Sequence, residues 1–135
     1  MHSQALLPLI KESMSTNTPF TFKLKGTSMR PFLNDQTVVT LTPVDAYTPY
    51  DVYLFTHNGN VTLHRLIKIK NTTYYFLGDA LKAYEHIPKE NIIAKVTHVT
   101  KNGKPILIHK PWYKLKVRLW HHVRFMRRVL LKCLG

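Results

Sequence analysis

The sequence predicts a mainly β protein: a coiled, barrel-like antiparallel sheet with a short N-terminal helix and a long, basic, amphipathic C-terminal helix. Two observations predict the sheet, namely short runs of alternating apolar and polar residues and the turn signals that separate them. A third predicts the last helix, because apolar residues recur every three or four positions from residue 112 onward. With 135 residues, the chain is long enough to bury the core of one domain.

The predicted elements follow one another with short connections. A helix is predicted over residues 3–14, and Pro8 should delay or kink its start. Strands are predicted over residues 20–25, 37–41, 51–55, 60–69, 74–77, 92–99 and 105–109. Asn58-Gly59 and Asn102-Gly103 signal tight hairpin turns. Residues 80–91 are predicted to form a loop or a short helical turn.

The C-terminal segment differs from the rest of the chain, so we divide the chain into a core of residues 1–110 and a helix of residues 111–135. The apolar stripe of the helix contains Trp112, Leu115, Leu119, Val123, Met126, Leu130 and Cys133. Its other faces carry Lys114, Lys116, Arg118, Arg124, Arg127, Arg128 and Lys132. This combination is typical of an amphipathic helix with one apolar side.

The net charge of +13 is concentrated in the last third of the chain. Residues 1–90 hold 9 Lys/Arg and all 7 acids, whereas residues 91–135 hold 11 Lys/Arg and no acid. Such a segment favours an anionic partner. We find neither a signal peptide nor an apolar run that could span a bilayer, and we expect a cytoplasmic or peripheral membrane-associated protein.

The helix over residues 112–134 has three interpretations from sequence. It could lie on anionic lipid, with Trp112 and Trp120 near the headgroups. Its stripe could instead pack on the sheet, or on a second copy of itself in a homodimer. Nucleic acid is not favoured, because no motif of interleaved aromatic and basic residues supports it.

Three side chains have the chemistry of a hydrolytic site: Ser28, His64 and Asp79. A serine hydroxyl needs a base to take its proton, and histidine is the usual base near neutral pH. A carboxylate can hold the imidazole in one tautomer. Cys133 is the only cysteine, so neither an intrachain disulfide nor a cysteine zinc site is predicted, and we expect no metal or cofactor.

Four motifs around these residues resemble those of type I signal peptidases, which share a superfamily with the self-cleaving SOS-type repressors. They are Gly-Thr-Ser-Met-Arg-Pro at 26–31, Asp-Val-Tyr-Leu-Phe at 51–55, Leu-His-Arg at 63–65 and Leu-Gly-Asp-Ala at 77–80. The resemblance covers about residues 20–100. The chain has Tyr50 where these proteins usually have glycine. An acid that often follows the Gly-Asp motif has no clear counterpart, with Tyr84-Glu85 nearby.

The resemblance implies a role for each matching residue. Ser28 matches the nucleophile and His64 the general base, a position where most bacterial relatives have lysine. Asp79 matches the Gly-Asp motif, where it could orient His64 or pair with Arg65, which faces the apolar side of its strand. The backbone N–H of Ser28 would hold the oxyanion. Gly26 and Arg65 would support the site, and the resemblance places Met29 and Pro31 at the substrate.

The sequence therefore predicts a serine endopeptidase of the signal-peptidase type that processes a leader or signal peptide. Its substrate would be a peptide inserted as an extended strand beside the site. The alternative is a catalytically inactive basic protein of the same fold that contacts anionic lipid or nucleic acid through its C-terminal helix.

Overall fold

The computed structural model describes residues 5–134, with side chains for residues 5–126, and consists of one β-sheet with a short N-terminal helix and a long C-terminal helix. The helices are α1 (Leu7–Ser15) and α2 (Pro111–Leu134). The strands are β1 (Phe20–Lys23), β2 (Val38–Thr42), β3 (Val52–His57), β4 (Asn60–Lys70), β5 (Thr73–Leu77), β6 (Glu85–Pro88), β7 (Ile92–Lys101) and β8 (Lys104–Ile106). A 3-10 turn, Lys89–Asn91, joins β6 to β7.

All strand pairs in the sheet are antiparallel, as expected. The order is β1-β2-β7-β3-β4-β5-β6, and β8 extends from β7. Within the described residues the sheet does not close, because β1 and β6 do not pair with each other. The mainly β class is confirmed, and the barrel-like sheet is an open one.

Apolar side chains form two clusters that fix the sheet and the turn after β1. The larger cluster joins Ile10 of α1 and Met29 and Leu33 of the turn to strand residues such as Leu41 and Leu54. The second cluster contains Tyr53, Phe55, Leu66, Tyr74, Phe76, Ile87 and Ile92. Because Met29 and Leu33 are only 2% and 1% exposed, the turn that carries Ser28 is anchored in the core directly after the serine.

The two hairpin turns predicted from Asn-Gly pairs are confirmed. Asn58 and Gly59 have φ angles of 51° and 77°, and Asn102 and Gly103 have 52° and 75°. Two successive residues with positive φ are what a tight hairpin between twisted strands requires. The first of these turns sets the register in which Tyr53 of β3 lies opposite His64 of β4.

The prediction for residues 80–91 is wrong in part, since it missed strand β6. The segment Glu-His-Ile-Pro has weak β propensity as a whole, and Pro88 cannot donate a hydrogen bond to a ladder. It forms an edge strand because β5 offers its backbone groups to residues 85–88. This pairing sets Glu85 opposite Phe76 and determines where the carboxylate of Glu85 lies.

The helix α1 begins at Leu7, with Pro8 in its first turn, which confirms the prediction that Pro8 delays its start. Residues 3–4 of the predicted helix lie outside the described residues. The helix α2 is also confirmed, but the idea that its apolar stripe packs on the sheet is wrong. Tyr113, Val117 and His121 face the protein, whereas the stripe faces outward. The side chains of Leu130 and Cys133 lie outside the described residues.

The buried face of α2 is the one that makes aromatic and polar contacts with the rest of the protein. The Phe32 ring packs against the rings of Tyr113 and Trp120, at centroid distances of 5.8 and 6.2 Å.

Across residues 5–134, neither helix combines the length and apolar character needed to cross a membrane.

Candidate active site

The turn after β1 presents Ser28 on a backbone that is held from within. Gly26 has a φ of 102°, which glycine adopts at little cost, and its N–H donates to Asp35 Oδ1 at 2.9 Å. This hydrogen bond lowers the pKa of Asp35. Ser28 is half-buried between the glycine and the core residue Met29. The hydroxyl is therefore accessible from one side on a fixed turn.

His64 lies in the middle of β4 with only 4% of its surface exposed. Its Nε2 is 3.1 Å from Ser28 Oγ. The Phe55 ring packs beside the imidazole at a centroid distance of 6.1 Å. The two residues that the sequence paired as nucleophile and base, 36 positions apart, are thus in hydrogen-bonding contact.

The other ring nitrogen of His64 is bonded to Glu85, not to Asp79. Nδ1 lies 2.7 Å from Glu85 Oε1, and the Glu85 side chain is 19% exposed. Sequence reasoning did not assign Glu85, because β6 was not predicted. One signal in the sequence could have identified it. The resemblance leads one to expect an acid soon after the Gly-Asp motif, and Glu85 is an acid close to that motif.

Asp79 is the centre of a separate buried network. Its carboxylate accepts two hydrogen bonds from Arg65, Nε to Oδ1 and Nη2 to Oδ2, both at 2.8 Å. Burial disfavours the charged carboxylate, but Arg65 and the His121 hydrogen bond outweigh it and lower the pKa of Asp79. Of the two roles left open for Asp79, the structure has it paired with Arg65. The carboxylate that contacts His64 is that of Glu85.

Arg65 is itself fully enclosed, at 3% exposure. Its Nη1 donates to the Tyr50 carbonyl at 2.6 Å, and its guanidinium lies 5.6 Å from the Phe32 ring centre. Tyr50 has a φ of 74°, the conformation that favours the glycine usual at this position. Tyr50, which stands where the motif usually has glycine, therefore adopts a backbone conformation typical of glycine. In this conformation its carbonyl oxygen accepts a hydrogen bond from Arg65.

Residues of α2, which sequence reasoning treated as a separate tail, complete this network. His121 Nε2 donates to Asp79 Oδ1 at 2.7 Å, and Trp120 Nε1 donates to the Asp79 carbonyl at 2.8 Å. Arg124 Nη2 donates to the Leu81 carbonyl at 2.9 Å. The apolar periodicity gave no signal for these residues, since they lie on the opposite face from the stripe.

Gly78 is the point of closest approach between the Gly-Asp turn and the site. A Cβ at this position would lie 2.7 Å from the Ser28 carbonyl oxygen and 3.0 Å from His64 Nε2. The next residue but one, Ala80, donates its N–H to the same Ser28 oxygen at 2.9 Å. Only glycine therefore lets this turn lie against both Ser28 and His64.

A groove of about 460 Å³ opens at Ser28 and His64. Its lining comprises Leu24, Lys25, Gly26, Ser28, Met29, Asn60, Val61, Thr62, Leu63, His64, Leu81 and Glu85. Met29 and Gly26 are thus at the groove, whereas Pro31 is exposed and lies outside its lining. No described group of three His, Cys, Asp or Glu side chains could hold a metal ion.

The arrangement of serine, imidazole and carboxylate has the geometry of an activated hydroxyl. A carboxylate accepts only, so Nδ1 of His64 must carry the proton toward Glu85. Nε2 then presents its lone pair to the Ser28 hydroxyl, at a distance suited to proton transfer.

A search of curated proteins found no match to the chain, but a family model agrees with these features. A family model described as peptidase S24-like matches residues 2–98, which include the Ser28 turn, the His64 strand and the Gly78–Asp79 turn. The superfamily resemblance drawn from the four sequence motifs is confirmed by this match, and the chain belongs to the peptidase S24-like family.

Proposed function

We propose that this protein is a serine endopeptidase in which Ser28 attacks a peptide carbonyl, His64 moves the proton and Glu85 orients His64. The observation that supports this most directly is the continuous contact from Ser28 Oγ to His64 Nε2, 3.1 Å, and from His64 Nδ1 to Glu85 Oε1, 2.7 Å. Membership of a peptidase family supports the same reaction class.

The reaction follows the order of these contacts. As Ser28 Oγ bonds to the carbonyl carbon, its proton passes to Nε2 of His64, and the imidazolium is stabilised by Glu85. His64 then gives this proton to the leaving amine as the peptide C–N bond breaks. A water molecule, deprotonated by His64, hydrolyses the acyl ester and restores the Ser28 hydroxyl.

The backbone N–H of Ser28 is the proposed donor to the oxyanion. Among the described residues it donates to no hydrogen-bond acceptor, so it is available to a substrate oxygen. Gly26, two positions earlier, has no side chain that could add a second donor. The loss of a single donor of this kind in other hydrolases costs about 3 kcal/mol, which makes the orientation of this turn important to the rate.

The groove supports binding of the substrate as an extended strand. The segment 60–64 of β4 pairs with β3 on one edge, whereas β5 pairs with β4 only from Arg65 onward. Its other edge has no strand partner in the described part of the chain and borders the groove. A peptide there could extend the sheet through its backbone groups. The resemblance to signal peptidases favours leader or signal peptides with small residues before the cut.

The test is cleavage of a mixed peptide library, with new termini identified by mass spectrometry. Wild type should produce cuts that Ser28→Ala and His64→Ala abolish, while Thr27→Ala, which removes a neighbouring exposed hydroxyl, should retain them. Cleavage patterns shared by wild type and Ser28→Ala would overturn the proposal. A fluorophosphonate probe that labels wild type and Ser28→Ala equally would do the same.

A second candidate function is a non-catalytic basic binding protein of the same fold. It is supported by the exposed basic and apolar surface of α2, which the peptidase site does not use. Under this alternative, lipid or nucleic acid would bind through the C-terminal helix, and no Ser28-dependent cleavage would be detected with any peptide of the library.

A further inference from the structure

The outward face of α2 carries an apolar stripe that is exposed between residues 112 and 126. Its members and their exposed fractions are Trp112 54%, Leu115 58%, Leu119 51%, Val123 53% and Met126 42%. At about 100° per residue they fall in one sector, opposite the buried residues Tyr113 and Val117. Large exposed apolar surfaces of this kind mark binding sites.

The flanks of the stripe are basic. Lys116 and Arg118 are exposed on its two sides, and Lys116 Nζ lies 4.5 Å from the Trp112 ring centre. The sequence has no acidic residue after residue 90. A partner must therefore accept five apolar side chains and supply negative charge around them.

We infer that this face of α2 binds the surface of an anionic lipid bilayer, with the stripe inserted among the lipids and the cations at the headgroups. An interfacial helix of this kind combines a basic polar face with aromatic and aliphatic residues on the other. The inference goes beyond the proposed peptidase function, because none of the stripe residues lines the catalytic groove.

Charge favours lipid over the other occupants. Two copies joined through this stripe would bring two basic flanks together, with no acid of either helix to offset them. Nucleic acid would attract the cations, but it offers no apolar layer for Leu115, Leu119 and Val123 to enter. An anionic bilayer supplies both parts of the surface.

The test is co-sedimentation of the full chain with vesicles of phosphatidylcholine mixed with phosphatidylglycerol, and with vesicles of phosphatidylcholine alone. The stripe variant is L115E/L119E. The matched control is I69E/L107E, which introduces the same charge at exposed apolar residues elsewhere, 39% and 52% exposed. Truncation after residue 110 is unsuitable because it would remove the buried Tyr113 and Val117.

Wild type, Ser28→Ala and the control should bind the anionic vesicles and lose binding as salt is raised. The stripe variant should bind at least about tenfold more weakly, since two half-exposed leucines can no longer insert. Equal binding by the stripe variant and the control would overturn the inference. So would equal binding to both vesicle types, or a wild-type dimer that L115E/L119E converts to a monomer.

The buried face of α2 carries a second, independent inference. Trp120 and His121 both donate to Asp79, and Arg124 donates to the Leu81 carbonyl. These bonds hold the turn in which Gly78 lies against Ser28 and His64. The helix lies outside residues 2–98, the part that the family model matches.

The geometry points to Trp120 and His121 as positioning residues for the catalytic serine, an inference that rests on the proposed peptidase function. Their effect is transmitted through the backbone, because Ala80 N–H donates to the Ser28 carbonyl at 2.9 Å. Loosening the turn would move Ser28 relative to His64 without altering the groove residues of β4.

Trp120→Phe tests this, since it keeps an aromatic ring beside Phe32 and removes the N–H donor together with part of the indole, on which Arg124 packs at 5.3 Å. The matched control is Trp112→Phe on the exposed face. Trp120→Phe should lower kcat by about five- to tenfold, the loss expected for one hydrogen bond, and leave KM within about twofold. Hydrogen exchange at the Ala80 amide should accelerate by a similar factor.

The exchange measurement keeps the inference separate from the proposed function. A wild type without peptidase activity would count against the peptidase proposal, yet Ala80 exchange would still report on the turn. Unchanged Ala80 exchange in Trp120→Phe overturns the positioning role. A lower melting temperature with unchanged kcat also overturns it, because the contact would then be merely structural.

Discussion

Replacing Glu85 by glutamine tests the proposed proton path most directly. The side chain keeps its shape, and its amide oxygen can still accept from His64 Nδ1, so the change removes only the negative charge. That charge lies 2.7 Å from the imidazole, which becomes positive in the transition state. Glu85→Gln should therefore lower kcat more than it alters substrate binding.

The magnitude follows from the geometry. Opposite unit charges about 4 Å apart attract by about 4 kcal/mol at an effective dielectric constant near 20. Because the Glu85 side chain is 19% exposed, solvent screens part of this, and a charge-assisted hydrogen bond contributes about 2–3 kcal/mol. The expected loss is roughly 30- to 150-fold in kcat.

The assay is kcat and KM on the best peptide from the library, with Glu90→Gln as the matched control. Glu90 is exposed and lies in the 3-10 turn that follows β6. It should have nearly wild-type kinetics. Glu85→Gln with kcat within about twofold of wild type would refute the reasoning, since the charge would then not assist His64.

Three further predictions concern the turn beside the site. Gly78→Ala should reduce Ser28 labelling and cost about 1–3 kcal/mol of stability, because its Cβ would lie 2.7 Å from the Ser28 carbonyl oxygen; undiminished labelling would contradict the close approach. Asp79→Asn should lower the free energy of unfolding by about 3–5 kcal/mol in urea, because Arg65 would remain buried without its anion. The exposed Asp45→Asn should have a much smaller effect, and equal losses would argue against the network. Since the pKa of Asp79 in the folded protein lies below the ordinary 3.8, its contribution is complete above that pH and is lost as pH falls through the folded value. Stability curves of wild type and Asp79→Asn should therefore converge in acid, and parallel curves would exclude this linkage.

Local patterns were sufficient for the mainly β class and for most strands. The Asn58-Gly59 and Asn102-Gly103 turns were readable because positive φ angles restrict the residues that can occupy them. Short motifs likewise indicated Ser28 and His64, since the chemistry of an activated serine requires those residue types.

The sequence alone predicted the peptidase superfamily and the serine–histidine pair, because both predictions depend on residue identity within short motifs. Only the tertiary structure decided which carboxylate meets His64: Glu85 reaches it because β5 pairs with a segment of weak strand propensity. It also decided which face of α2 is buried. Periodicity identifies the most hydrophobic face of a helix as the one expected to be buried. In the structure the buried face is instead the one whose side chains donate hydrogen bonds to Asp79, because a buried carboxylate requires such donors.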